Sequence, residues 1–231
     1  MEGKIKQNIS NLIKEIKMVC KKCNRSFDEI KIVAASKYAN TNQILEAFYN
    51  GIQYFGENRT EELLEKYSVI KNKVNWHFIG HLQSRKVKKV VPIVELIHSV
   101  DSIKLLEKIN LISFQIGKIQ DVLIEVNLSG ESTKFGINED EIDFFLKNSV
   151  NFKNIRITGL MTMAPLSKDF TLIRSIFRKL RTLLQTYMNV PYSKDFSNIL
   201  LKELSMGMSN DYKIAIEEGA SIIRIGSLIF L

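Results

Sequence analysis

Two periods of hydrophobic and polar positions alternate along this chain. Short apolar runs rich in β-branched residues recur at 32–36, 53–55, 76–79, 95–99, 121–127, 155–160, 203–206 and 221–225. Compact runs of this kind, bounded by polar segments, are what strands buried on both faces require. Between them, apolar residues return every three or four positions, which predicts helices over 43–50, 60–70, 102–116, 139–148, 171–187 and 212–218. Ahead of the first strand, Ile5, Ile9, Leu12, Ile16 and Val19 form one stripe among lysines, an amphipathic leading helix over residues 1–23.

Strict alternation of strand and helix implies a parallel α/β sheet. Eight parallel strands can close into a (β/α)8 TIM barrel, and closure removes the two edge strands that an open sheet would have to protect. The expected architecture is therefore one barrel domain over residues 1–231. The chain stops at Leu231, directly after the last strand, so the leading helix is expected to replace the one that would follow it. In such a barrel, chemistry gathers where strands end and the following loops begin.

Composition fits this picture and narrows the partners. Of the 231 residues, 45% are hydrophobic and 25% charged, values of an ordinary folded chain. The formal charge of +8 suits an anionic ligand and by itself also tolerates nucleic acid. The densest basic stretch, Arg85, Lys86, Lys88 and Lys89, has no interleaved aromatic residue to stack on a base, and reads as a solvated helix face. Cys20 and Cys23 have the C-x-x-C spacing, but they end a lysine-rich helix instead of following a strand and lack the further ligands a zinc site needs. They are expected to be ordinary thiols in a reducing compartment. No apolar run is long enough for a membrane span and no signal peptide is evident, so the expected location is cytoplasmic.

Lys37 closes the apolar run beginning at Ile32 and is expected to leave a buried strand at the active mouth. Desolvation would then lower its pKa, and a neutral amine can attack an aldehyde. The alternative is a lysine that simply caps the strand at the surface. Two glycine-containing turns, 204–211 and 224–227, follow the seventh and eighth strands, where this fold commonly binds phosphate. Taken alone, such a stretch is more often just a turn with a helix cap. His77, His81 and His98 lack the helical spacing of a metal site and are expected to be core or loop histidines.

Several segments, in order, carry a resemblance over nearly the whole chain. They are Val33-Ala34-Ala35-Ser36-Lys37, Phe55-Gly56-Glu57-Asn58, the stretch from Trp76 to Ser84, and His98-Ser99-Val100-Asp101-Ser102. The series continues through Val126 to Gly136, Gly159 to Ala164, Leu204 to Ser209, and Arg224-Ile225-Gly226-Ser227. In these motifs the sequence resembles the YggS-like, or proline synthase co-transcribed, pyridoxal phosphate homeostasis proteins. The resemblance implies a barrel like the N-terminal domain of alanine racemase, with pyridoxal 5'-phosphate held as a Schiff base on Lys37. It further implies Arg224 at the pyridine nitrogen and Asn58 near the ring or its hydroxyl. The phosphate would be held by backbone and hydroxyl groups of Met208, Ser209, Gly226 and Ser227.

Two departures stand out. Ser227 occupies a position where threonine is usual, and Tyr38-Ala39-Asn40 replaces a more typical threonine or leucine, lysine, proline. Relatives also commonly run a few residues beyond the position of Leu231, which leaves a trimmed C-terminus or a looser barrel end open. The family is regarded as holding the cofactor and balancing its free level and that of related B6 vitamers, without an assigned reaction. A racemase needs a proton-transfer group on each face of the bound cofactor. In alanine racemase the second comes from another domain, for which this chain has no residues left. The expected function is thus a cofactor carrier with no metal, serving PLP-dependent apoenzymes, monomeric, and binding neither nucleic acid nor membrane. A weak racemase or lyase is the alternative.

Overall fold

The computed structural model describes residues 3–131, 135–190 and 196–231; positions 132–134 of the motif from Val126 to Gly136 lie outside them. The strands are β1 (Lys31–Ala35), β2 (Tyr54–Glu57), β3 (Asn75–Phe78), β4 (Leu96–Val100), β5 (Gln120–Glu125), β6 (Ile155–Met161), β7 (Ile199–Ser205) and β8 (Ile222–Ile225). They pair in parallel in chain order, and β8 pairs with β1 to close the barrel. The expected (β/α)8 class is the one observed.

Around the barrel run α1 (Lys4–Lys22), α2 (Thr41–Tyr49), α3 (Thr60–Ile70), α4 (Val87–Val90), α5 (Ile103–Gln115), α6 (Ile142–Ser149), α7 (Phe170–Met188), α8 (Tyr212–Glu217) and α9 (Ser227–Phe230). Local chemistry sets several of their starts. Asn40 and Gln43 form a reciprocal capping box at α2, and Asp169 Oδ1 accepts from the N–H groups of Thr171 and Leu172 at α7.

Strand alternation sorts side chains into two cores. Ile32 and Ala34 face outward into the large core between sheet and helices, whereas Val33 joins a smaller inner cluster with Leu96, Leu123, Met161 and Ile222. The α1 stripe Ile5, Ile9, Leu12, Ile16 and Val19 is buried in the outer core. At roughly 1.5–3 kcal/mol per fully buried aliphatic side chain, that stripe fixes α1 more strongly than the helix propensity of its sequence could.

The leading helix packs on α2, α8 and α9, so it fills the gap in the helical ring between α8 and α2. Asn8 Nδ2 donates to the Ile229 carbonyl at 3.1 Å, and Arg25 Nη1 donates to the carbonyls of Ile216 and Ala220 at 2.9 and 2.8 Å. The sequence expectation needs one amendment: the eighth strand is followed by the one-turn helix α9, with α1 added beside it. The basic stretch forms a short turn and α4, with Val87 and Val90 buried and Arg85, Lys88 and Lys89 exposed, as a solvated face requires. Cys20 and Cys23 are free thiols at the end of α1. Among the described residues, no helix is long and apolar enough to cross a membrane, and no group of three or more His, Cys, Asp or Glu side chains could hold a metal ion.

Candidate functional site

A cavity of about 380 Å3 opens at the C-terminal end of the barrel. Lys37, Asn58, Met208, Ser209, Arg224, Gly226 and Ser227, distant in sequence, all line it. Its volume lies in the range of small-molecule pockets.

Lys37 stands two residues beyond the end of β1. The residue before it is locked in place: the Ser36 hydroxyl donates to Glu57 Oε1 at 2.6 Å, and Lys66 Nζ donates to both the Ser36 carbonyl and Glu57 Oε1 at 2.7 Å. Glu57 is fully buried, and desolvation pushes its carboxyl up despite the bonds from Lys66 and Ser36. Lys37 itself is exposed, which corrects the expectation of a desolvated ammonium. Past Ala35 its side chain has left the packed wall of the barrel, and Nζ lies over the Tyr38 ring, 4.7 Å from the centroid.

Asn58 follows β2 and is held from below by the loop after β3. A Cβ at Gly80 would collide with the Asn58 backbone, its carbonyl oxygen first, so this contact requires glycine. Arg224, on β8, is buried beneath the opening: Nη1 donates to Ser205 Oγ at 2.6 Å and Nη2 to the Thr162 carbonyl at 3.0 Å. Burial pulls its pKa down to about 10, opposed by the carboxylates of Glu125 and Asp211, so it remains a cation at neutral pH.

The loops after β7 and β8 meet over this arginine. Gly207 has φ +94°, and a Cβ there would lie 2.5 Å from that of Ala215, so glycine is required to turn the chain into α8. Asp211 Oδ1 accepts from the Met208 N–H at 2.5 Å. That N–H is therefore already used, and Met208 presents its half-exposed side chain to the cavity instead. The Gly226 N–H reaches Ser209 Oγ at 3.4 Å and ties the two loops together. Among the described residues, the backbone N–H groups of Ser209 and Ser227 donate to nothing else.

Sequence reasoning missed three participants: Asp211, which shapes the β7 loop; Ser205, which anchors the guanidinium; and Glu125, buried at the end of β5 with its pKa raised by burial to about 7. Only Asp211 carried a signal, as a cap residue beside a glycine turn. His77 and His98 are buried in the barrel, in agreement with core histidines, while His81 pairs with Asp101 at 3.2 Å and stacks on Phe135.

A primary amine at the rim, a buried cation beneath it, and a loop pair with unused N–H groups and two serine hydroxyls match a small aromatic aldehyde bearing a phosphate. The comparisons agree with this chemistry. Residues 8–231 match the family model "Alanine racemase, N-terminal domain". A pyridoxal phosphate homeostasis protein of Aquifex aeolicus is 39% identical over 97% of this chain and 96% of its own. The crystal structure of an unknown protein from Bifidobacterium adolescentis superposes with a TM-score of 0.92 at 31% identity, covering 98% of this chain and 94% of that one. PipY of Synechococcus elongatus, solved with PLP bound, gives 0.84 at 29% identity, covering 98% and 100%. With this match along essentially its full length, the chain belongs to the pyridoxal phosphate homeostasis protein family, built on the alanine racemase N-terminal barrel.

Proposed function

We propose that this protein, with residues 1–231 acting as one unit, holds pyridoxal 5'-phosphate at the barrel mouth and buffers its supply. The observation that carries the proposal is the convergence of Lys37, Arg224 and the tied loops at Ser209 and Gly226 on one cavity. When bound, the cofactor supplies an aldehyde that condenses reversibly with a lysine amine as water leaves. Lys37 is the amine, exposed enough to meet the aldehyde without rearrangement of the wall. Ser209 and Ser227 offer hydroxyl and N–H donors to the phosphate, with Gly226 allowing close approach. Asn58 would stand near the ring or its hydroxyl, and Met208 lines the cavity beside the two loops.

Arg224 would stand at the pyridine nitrogen. A guanidinium there donates a hydrogen bond and disfavours a second positive charge on the ring, which weakens the ring as an electron sink. A site that anchors the cofactor but restrains its carbanion chemistry suits storage better than turnover. The ligands are pyridoxal phosphate and related B6 vitamers, and released cofactor passes to PLP-dependent apoenzymes. The protein acts in the cytoplasm as a monomer, with neither nucleic acid nor membrane as partner.

The test against the racemase or lyase alternative is α-proton exchange of alanine and serine in deuterated water, with an alanine racemase as positive control. The carrier reading predicts trace exchange at most. Efficient exchange with inversion, abolished by Lys37→Ala, would replace it with an enzyme.

A further inference from the structure

Below the cavity, the barrel interior contains a hydrogen-bonded chain that holding the cofactor does not by itself require. It starts at Arg224, whose Nη1 donates to Ser205 Oγ at 2.6 Å. Ser205 Oγ lies 2.8 Å from His98 Nδ1, and His98 Nε2 lies 2.9 Å from His77 Nδ1. All four side chains are buried. Strand register brings them together. His77 pairs with Leu96, so His98, two residues further on, shares the inward face of β4; Ser205 pairs with Ile222, which puts Arg224 two residues further on the inward face of β8.

The direction of the chain follows from counting protons. A serine hydroxyl has one proton to give, and among the described residues Ser205 Oγ has no partners besides Arg224 and His98. If Ser205 donates to His98 Nδ1, His98 carries its proton on Nε2 and donates it to His77 Nδ1. Only the His77 Nε2–H is then left unpaired, and Nε2 is indeed the buried atom without a partner. The opposite direction strands both the Ser205 proton and the His77 Nε2 lone pair. Leaving a buried polar group unpaired is costly, and the first direction leaves one such group where the second leaves two, so the first is favoured. It also requires neutral rings: burial pulls His77 down to about 3 and His98 well below the ordinary histidine value.

We propose that Ser205, His98 and His77 are positioning residues for Arg224, a one-way relay that fixes the guanidinium so that its remaining N–H groups face the bound ring. The proposal rests on the reading that Arg224 serves the pyridine nitrogen. Arginine has several rotatable bonds, and ordering them only on binding would weaken affinity. Here Ser205 and the Thr162 carbonyl hold two of its nitrogens before any ligand arrives. Because Ser205 itself donates onward, its oxygen is a stronger acceptor for Arg224 than an isolated hydroxyl would be.

Two measurements test the relay. Long-range proton–nitrogen NMR of the protein without cofactor is expected to show both histidines protonated on Nε2, with bare Nδ1, unchanged from about pH 5.5 to 8. A proton on Nδ1 of either ring, or titration of either within that range, overturns the proposal. In the second, Ser205→Ala is expected to weaken pyridoxal phosphate binding roughly tenfold and shift the visible band of the bound cofactor, while Ser205→Thr restores both. Wild-type affinity and an unchanged band in Ser205→Ala would refute the positioning role. Should that variant fail to fold, His98→Leu against His98→Gln makes the same comparison, since glutamine can accept from Ser205 and donate toward His77. If the wild type itself takes up no cofactor, the proposed function fails, and the tautomer experiment still decides the relay.

Discussion

Lys66 Nζ lies 2.7 Å from the carbonyl oxygen of Ser36, the residue immediately before Lys37. The same ammonium meets the buried carboxylate of Glu57, immediately before Asn58. One buried ion pair thus braces the backbone just before two cavity residues that follow the neighbouring strands β1 and β2. Removing one partner of such a pair leaves the other charge buried alone, at a cost of about 3–5 kcal/mol, whereas replacing both with apolar groups is far milder. Lys66→Met is therefore expected to lower unfolding stability by about 3–5 kcal/mol in urea titration, and Lys66→Met with Glu57→Leu to recover most of it. Equal loss in the single and double variants would show that packing, not the charge pair, is what matters there.

Glu125 gives a pH-dependent prediction. Burial holds its carboxyl at about 7, above the ordinary 4.5 of an unfolded chain. Its contribution to stability is therefore fully present below about pH 4.5 and is lost as pH rises through 7. Glu125→Gln cannot ionise, so it should exceed the wild type in stability by on the order of 1–3 kcal/mol at pH 8. The gain should shrink to a small fraction near pH 5. Chemical denaturation at the two pH values checks it, and an equal gain at both would remove ionisation as the cause.

The phosphate role of the two loops predicts vitamer discrimination. The protein should bind pyridoxal phosphate more tightly than pyridoxal, and Ser209→Ala with Ser227→Ala should weaken the phosphorylated form alone by roughly 1–3 kcal/mol. Backbone N–H groups survive both substitutions, so residual preference is expected. Fluorescence titration with each vitamer measures the difference, and equal wild-type affinities would rule out a phosphate cup.

How much of this was legible in the sequence depended on whether the signal was local. The β-branched runs gave the strand order and the barrel, because a parallel strand buried on both faces leaves a continuous apolar trace. The start of β7 was hidden because Leu200 and Lys202 face outward, so Ile199–Ser205 reads as a mixed segment until its alternation is seen. At β5 the apolar trace ran past the ladder: Val126 makes only an isolated bridge to Ile137. The four residues of α9 are too few to show a helical period. Family resemblance, not periodicity, gathered the seven cavity residues. Neither could show that Lys37 is exposed, since that depends on the strand ending at Ala35, or that His77, His98 and Ser205 meet, since they come from three strands, two of them neighbours and the third across the barrel.

The central claim is that Lys37 is the anchoring amine. Its most direct test is borohydride reduction of the protein mixed with substoichiometric pyridoxal phosphate, followed by mass-spectrometric mapping of the modified peptide. The account predicts one dominant adduct, on Lys37, and loss of the visible band in Lys37→Ala. An unchanged band in that variant, with the wild-type adduct on another lysine, would contradict it.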